Sequence, residues 1–223
     1  MKPILEKLYT GTKEELVDDV LATYQEQGCC ILNCLYFANI VSQSVFNVDE
    51  KKKPSEEKRN YLGRAKTHFA STFARSPTKY RKILLKGDFL LPDGIALQIF
   101  YFLANLFGVI KSPRKRLSNL NGTDFAFYFL EQIKKRYGNQ KICLLLYGAP
   151  PKGIERASEN IAHQGFNVVY FQDGYREFDR EAAMPKLEDY QDTINILFIG
   201  MTTPTIPMQE LRTLRNYDQL KKS

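Results

Sequence analysis

Lys141-Ile142-Cys143-Leu144-Leu145-Leu146-Tyr147 runs straight into Gly148-Ala149-Pro150-Pro151-Lys152-Gly153. An apolar run this short, closed by a Gly/Pro cluster and followed by a helical pattern over Ile154–His163, reads as a strand buried on both faces. Only a sheet with helices on both sides buries a strand that way. The rest of this half keeps the rhythm: Gly165 ends the helix, Phe166–Phe171 is predicted as a strand, and Asp173-Gly174-Tyr175 as a turn. A charged helix over Glu177–Tyr190 and a strand over Thr193–Ile199 follow. Apolar strands alternating with helices predict an α/β class: a doubly wound, mostly parallel sheet with helices on both faces, Rossmann-like.

Working back toward the N-terminus, the pattern continues. Thr12-x-x-Glu15 is a capping-box signature before Leu16, Val17, Val20, Leu21 and Tyr24, so a helix is predicted over Thr12–Gln27, ended by Gly28. Cys29–Asn33 reads as a short buried strand and Leu35–Phe46 as a helix. From Ser76-Pro77 a basic helix leads to Gly87, Asp88–Leu91 is the next strand, and Asp93 sits where that strand should emerge at the edge of the sheet. The apolar helix Ile95–Phe107, the basic loop Lys111–Arg116 and a helix opened by Asn121-Gly122-Thr123-Asp124 and reaching Tyr137 complete the series. Between Asn47 and Thr72 the mixed-charge run around Lys51-Lys52-Lys53 has no apolar period and reads as a surface insertion in one domain covering residues 1–223.

Composition excludes some classes. The chain of 223 residues carries 32 Lys+Arg against 25 Asp+Glu, a net +7 that favours anionic partners such as nucleotide phosphates or an anionic membrane surface. Nucleic acid is the weaker choice, because no recognised binding motif or aromatic-basic interleaving accompanies the charge. Cys29, Cys30, Cys34 and Cys143, with His68 and His163, make no paired Cys-x-x-Cys framework, so no metal site is expected and reduced thiols in the cytoplasm are. The N-terminus has Glu6, Glu14 and Glu15 and no long apolar core, which argues against a signal peptide. The longest apolar stretch, Ile95–Ile110, falls short of the roughly 20 residues that span a bilayer.

In parallel sheets ligands bind beyond the carboxyl ends of the strands, and there the polar and glycine-containing positions collect: Asn33, Asp93, Gly148, Asp173 and Gly200. Asp93 has two readings, a cap for the helix that follows or a general base that deprotonates a hydroxyl. Its residues alone favour the cap. Gly148–Gly153 is either a tight turn or a phosphate cradle made of backbone amides; it is neither a dinucleotide fingerprint nor a Walker loop. Asn121, Thr123 and Asp124 suit a helix start as well as a site, and Arg176, Arg212 and Arg215 suit either a diphosphate or a solvated face.

Taken together, Leu91-Pro92-Asp93-Gly94, Leu120–Phe125, Leu146-Tyr147-Gly148 with Ala157-Ser158-Glu159-Asn160, Asp173-Gly174-Tyr175, Ile196–Met201 and Pro207–Glu210 occur in an order that resembles the bacterial WecG/TagA/CpsF glycosyltransferases, over roughly residues 28 to 220. The resemblance implies a metal-independent, inverting transfer of an N-acetylhexosamine-type sugar, such as N-acetylmannosamine, from a UDP-sugar to a polyprenyl-diphosphate-linked sugar, in surface polysaccharide or cell-wall polymer synthesis. It implies Asp93 as the catalytic base, Gly148, Asp173, Gly174, Tyr175, Gln209 and Glu210 as donor-binding residues, and Asn33, Asn121, Thr123 and Asp124 as positioning residues. Arg176, Arg212 and Arg215 would meet the diphosphate. No cofactor is expected; a homo-oligomer is compatible with the reading, as is a place at the inner face of the cell membrane.

The chain departs from the family pattern in places. Ile31 stands where a threonine is frequent, Ala96 where a glycine is, and the Gly200–Gln209 loop carries Thr205 and Ile206 as extra residues. The sequence stops at Ser223, where family members continue into a strand and a basic C-terminal appendage, so the appendage is expected to be missing. A catalytically inactive nucleotide-sugar-binding module acting with a partner is the alternative reading.

Overall fold

The computed structural model describes residues 2–37, 84–190 and 192–200. The charged stretch at 47–72, nearly all of the helices expected over 35–46 and from Ser76 to Gly87, and the positions of Gln209, Glu210, Arg212 and Arg215 lie outside the described residues. The chain divides into two compact units, Met1–Ala126 and Phe127–Ser223. Both contain parallel strands and helices, the α/β class expected for a Rossmann-like fold.

In the first unit, α1 (Lys2–Lys7) precedes α2 (Lys13–Gln27). The capping box forms as its residues dictate: the Glu15 amide donates to the Thr12 hydroxyl, the Thr12 amide to the Glu15 carboxylate, and the Gly28 amide closes the far end on the Tyr24 carbonyl. Strand β1 (Leu32–Tyr36) pairs in parallel with β2 (Phe89–Asp93), in a register that runs from Leu32 opposite Phe89 to Tyr36 opposite Asp93. On its other side β2 meets Leu8 through a parallel bridge, and the Tyr9 amide donates to the Leu90 carbonyl at 2.8 Å. Helix α3 (Ile95–Leu106) follows β2 directly, and Ile4, Leu5, Leu8, Leu35, Leu90, Leu97, Phe100, Tyr101 and Ala104 share one core.

The first strand begins three residues later than Cys29–Asn33, and the cause is a side chain. Asp88 accepts the Ile31 amide at 2.7 Å, while the Asp88 and Phe89 amides donate to the Ile31 carbonyl. This clasp uses Ile31 before the ladder starts and carries the strand on through Leu35, which the helical expectation had claimed.

Helix α4 (Gly122–Tyr137), within which the two units divide, buries Phe125, Phe129, Leu130 and Ile133 at helical spacing. In the second unit β3 (Ile142–Gly148) is buried along its whole length between β4 (Asn167–Gln172) and β5 (Ile194–Gly200), all parallel, in the order β4-β3-β5. Helix α5 (Pro151–His163) connects β3 to β4; its prolines suit a first turn that has no use for their missing amides. The chain then crosses back past β3 to reach β5, a reversal of winding direction of the kind that opens a ligand crevice at strand ends. The helix expected over Glu177–Tyr190 is only one turn long, α6 (Arg180–Ala183), before a 3-10 segment over Met184–Tyr190. Pro185 explains the change, since it has no amide to continue an α-helical ladder.

Candidate functional site

The end of β2 brings several polar side chains together. Asp93 is its last residue and half-buried. The N-cap of α3 is Gly94, with a positive φ of 88° that favours glycine, and no side chain caps that helix. The cap reading of Asp93 is therefore not realised, and its carboxylate has no hydrogen-bond or ion-pair partner among the described residues. Burial, and then the like charge of Asp124, push its pKa above the ordinary aspartate value. A carboxylate left unpaired at a strand end, with raised proton affinity, is equipped to take a proton.

Asp124 is itself held. The Leu120 amide donates to the Pro92 carbonyl at 3.1 Å, docking the segment before α4 beside the end of β2. Asn121 then caps α4: its Oδ1 accepts the Asp124 amide at 2.7 Å, and its Nδ2 donates to the Asp124 carboxylate at 2.6 Å. The two residues thus serve the helix start and, through it, fix a negative charge near Asp93. Thr123 lies exposed in the same first turn.

Asn33 is not at a strand end. It occupies the second position of β1, opposite Leu90, because the Ile31–Asp88 clasp delays the strand. The residue opposite Asp93 is Tyr36, which is exposed and whose ring stands against Gly94, where a Cβ would come within 3.1 Å of its Cε2 atom. Cys34 lies nearby, its Sγ close against Gly122. Cys34 is exposed, and its thiol is pushed up to about 11 by desolvation and then by the charge of Asp93. Reading the sequence as a strand ending at Asn33 hid both residues. Cys34, Leu35 and Tyr36 are all apolar residue types, so the sequence carries no alternation to mark the exposed-buried-exposed pattern they take in β1.

At the end of β4-β3-β5 the chain is closed by glycines and a saturated carboxylate. Gly148 takes φ of 128° and pairs with Gly200; a Cβ on it would collide with the Gly200 carbonyl, which accepts the Ala149 amide at 3.0 Å. Gly174 donates its amide to the Ala149 carbonyl at 3.0 Å, so three backbone segments meet at contact distance. Pro150 and Pro151 carry no amide N–H, and those of Gly153 and Ile154 donate to the Pro150 carbonyl. Within Gly148–Gly153 the Ala149 amide is thus spent on Gly200 and the Gly153 amide on Pro150.

Asp173, only 7% exposed, follows β4. One carboxylate oxygen accepts the Tyr175 amide at 3.1 Å, and the other accepts Nε and a terminal nitrogen of Arg176 at 3.1 and 2.7 Å. Arg176 holds its pKa below the ordinary value. The Arg176 side chain is otherwise 75% exposed, with nitrogens still facing solvent, and Tyr175 projects beside it. Behind them, the buried Tyr147 hydroxyl donates to the Arg176 carbonyl at 2.7 Å, and Gln172 holds the loop at both the Glu177 carbonyl and the Asp179 amide. Gln172 carries no motif in the sequence; only its burial as the last residue of β4 reveals it.

Among the described residues no helix is long and apolar enough to cross a membrane. A comparison with protein-family models matches residues 34–223 to the Glycosyl transferase WecG/TagA/CpsF family. A search of curated proteins finds no match.

Proposed function

The chain belongs to the WecG/TagA/CpsF glycosyltransferase family and is an enzyme that transfers sugars, and on that premise we propose a metal-independent, inverting transfer of an N-acetylhexosamine-type sugar from a UDP-sugar to a polyprenyl-diphosphate-linked sugar. The observation that carries this reading is Asp93: half-buried, unpaired among the described residues, not spent on a helix cap, and raised in proton affinity. In the proposed step the acceptor hydroxyl oxygen forms a bond to the anomeric carbon, its proton passes to Asp93, and the bond from that carbon to UDP breaks with the electron pair leaving on the diphosphate.

Donor contacts are assigned to Gly148, Gly174 and Tyr175, with Gln209 and Glu210, and Asp173 serves the donor site through Arg176. The solvent-facing nitrogens of Arg176, with Arg212 and Arg215, would stabilise charge on the departing diphosphate. The saturated Asp173 acts here as the holder of Arg176. Asn121 and Asp124 position the base, Thr123 and Asn33 supply further polar groups, and the enzyme works at the inner membrane face, where a lipid-linked acceptor resides.

The test is UDP release from UDP-N-acetylhexosamines in the presence of a lipid-diphosphate-linked sugar, with and without EDTA. Turnover is expected to survive EDTA, to give a product of inverted anomeric configuration, and to fall by about 10²–10⁴-fold in Asp93→Asn. Wild-type turnover by Asp93→Asn would remove the base, and loss of turnover in EDTA would remove the metal-free mechanism.

A further inference from the structure

Helix α3 is apolar on two faces. Leu97, Phe100, Tyr101 and Ala104 point into the core, whereas Ile95, Ile99, Phe102, Leu103 and Leu106 are exposed, with Ile95 at 68% and Leu106 at 64%. At 100° per residue these exposed positions fall within an arc of roughly 100°. Phe107, 75% exposed, extends the stripe at the C-terminal end. A helix that is apolar all round is normally buried all round, so the outer stripe needs an apolar phase of its own.

The loop after α3 supplies charge of one sign. Lys111, Lys115 and Arg116 are exposed, and α3 itself carries no charged side chain. The loop is held in place: Asn105 of α3 donates to the Ser112 carbonyl at 3.5 Å, and Arg114 is pinned by the Glu15 carboxylate at 2.7 and 2.8 Å and by the Thr10 carbonyl at 3.0 Å. Cations fixed at the end of an exposed apolar stripe match an interface that is anionic above and apolar beneath. At 12 residues α3 is too short to cross such a layer and suited to lie in its plane.

We propose that the outer face of α3, with Lys111, Lys115 and Arg116, docks this unit onto the surface of an anionic lipid bilayer. The stripe starts at Ile95, two residues after Asp93, so docking brings the proposed base to the headgroup level where a lipid-linked acceptor presents its sugar. In that last respect it rests on the function proposed above; the docking itself does not.

Flotation with vesicles of phosphatidylglycerol and of phosphatidylcholine tests it. The wild-type protein is expected to float with the anionic vesicles and to be released by about 0.5 M salt. The exposed-site variants Ile99→Glu and Leu106→Glu should weaken flotation by about tenfold or more while keeping the wild-type circular dichroism. Lys111→Gln, Lys115→Gln and Arg116→Gln combined should remove the preference for anionic lipid. Unchanged flotation of the folded Ile99→Glu and Leu106→Glu variants overturns the proposal. So does a wild-type protein that ignores vesicles, including one that forms a dimer which those variants dissociate. On a short water-soluble acceptor the two Glu variants should turn over normally, so failure of docking and failure of the Asp93 mechanism give separate results.

Discussion

Asp93 and Asp173 stand in equivalent places, one closing a parallel strand in the first unit and the other directly following one in the second, and their electrostatics are opposite. Asp173 accepts an amide and two guanidinium nitrogens, and its pKa is lowered. Asp93 accepts nothing among the described residues, faces the charge of Asp124, and its pKa is raised. The contrast separates architecture from chemistry: a saturated carboxylate builds a loop, and an unpaired one keeps its affinity for a proton.

The largest structural effect should come from the glycine closure beside Asp173. Gly148→Ala puts a Cβ into the Gly200 carbonyl at a φ of 128°, and overpacking plus backbone strain should together cost about 3 kcal/mol or more. Loss of soluble protein or a much lower denaturation midpoint is the expected reading; a wild-type midpoint would show that the three backbone segments are less tightly closed than this.

The paired variants Asp173→Asn and Asp93→Asn then address the contrast itself. A lowered folded-state pKa contributes stability that is present above the unfolded value and lost as pH falls through the folded value, so Asp173→Asn should lower the melting temperature by a few degrees at pH 7 and much less in acid. A raised one has the reverse sign: ionised Asp93 costs stability at neutral pH, and Asp93→Asn should melt at or slightly above the wild-type temperature. Equal destabilisation by both variants would break the comparison.

The smallest effect expected is on pH dependence. A base must be ionised, so turnover should fall as pH drops through the raised Asp93 value. Asp124→Asn removes the like charge and leaves an oxygen for Asn121, so the acid limb of the pH–rate profile should move to lower pH. An unmoved limb would leave burial as the whole cause.

Much of this was legible in the residues. The Thr12–Glu15 box, the β3 run and its flanking Gly/Pro cluster each announce their structure through local rules of capping, proline geometry and apolar period, which act within a few residues. Long-range clasps were not legible. Ile31 is tied to Asp88, distant in the chain, and that bond moves β1 far enough to take Asn33 off the strand end and set Tyr36 opposite Asp93. The fate of each carboxylate was equally hidden, because an aspartate before a helix satisfies the capping pattern whether or not it caps.

By itself, then, the sequence determined the α/β class, the strands of the second unit and the position of an aspartate at the end of β2, all of which follow from local periodicity and the ordered motifs. Only the tertiary structure decided what the acidic residues do. Gly94, not Asp93, caps α3; Asn121 holds Asp124 near Asp93; and Arg176 saturates Asp173. The reason is that a carboxylate's proton affinity depends on burial and on which groups folding turns toward it, and the order of residues does not say whether a neighbour such as Arg176 pairs with Asp173 or faces solvent.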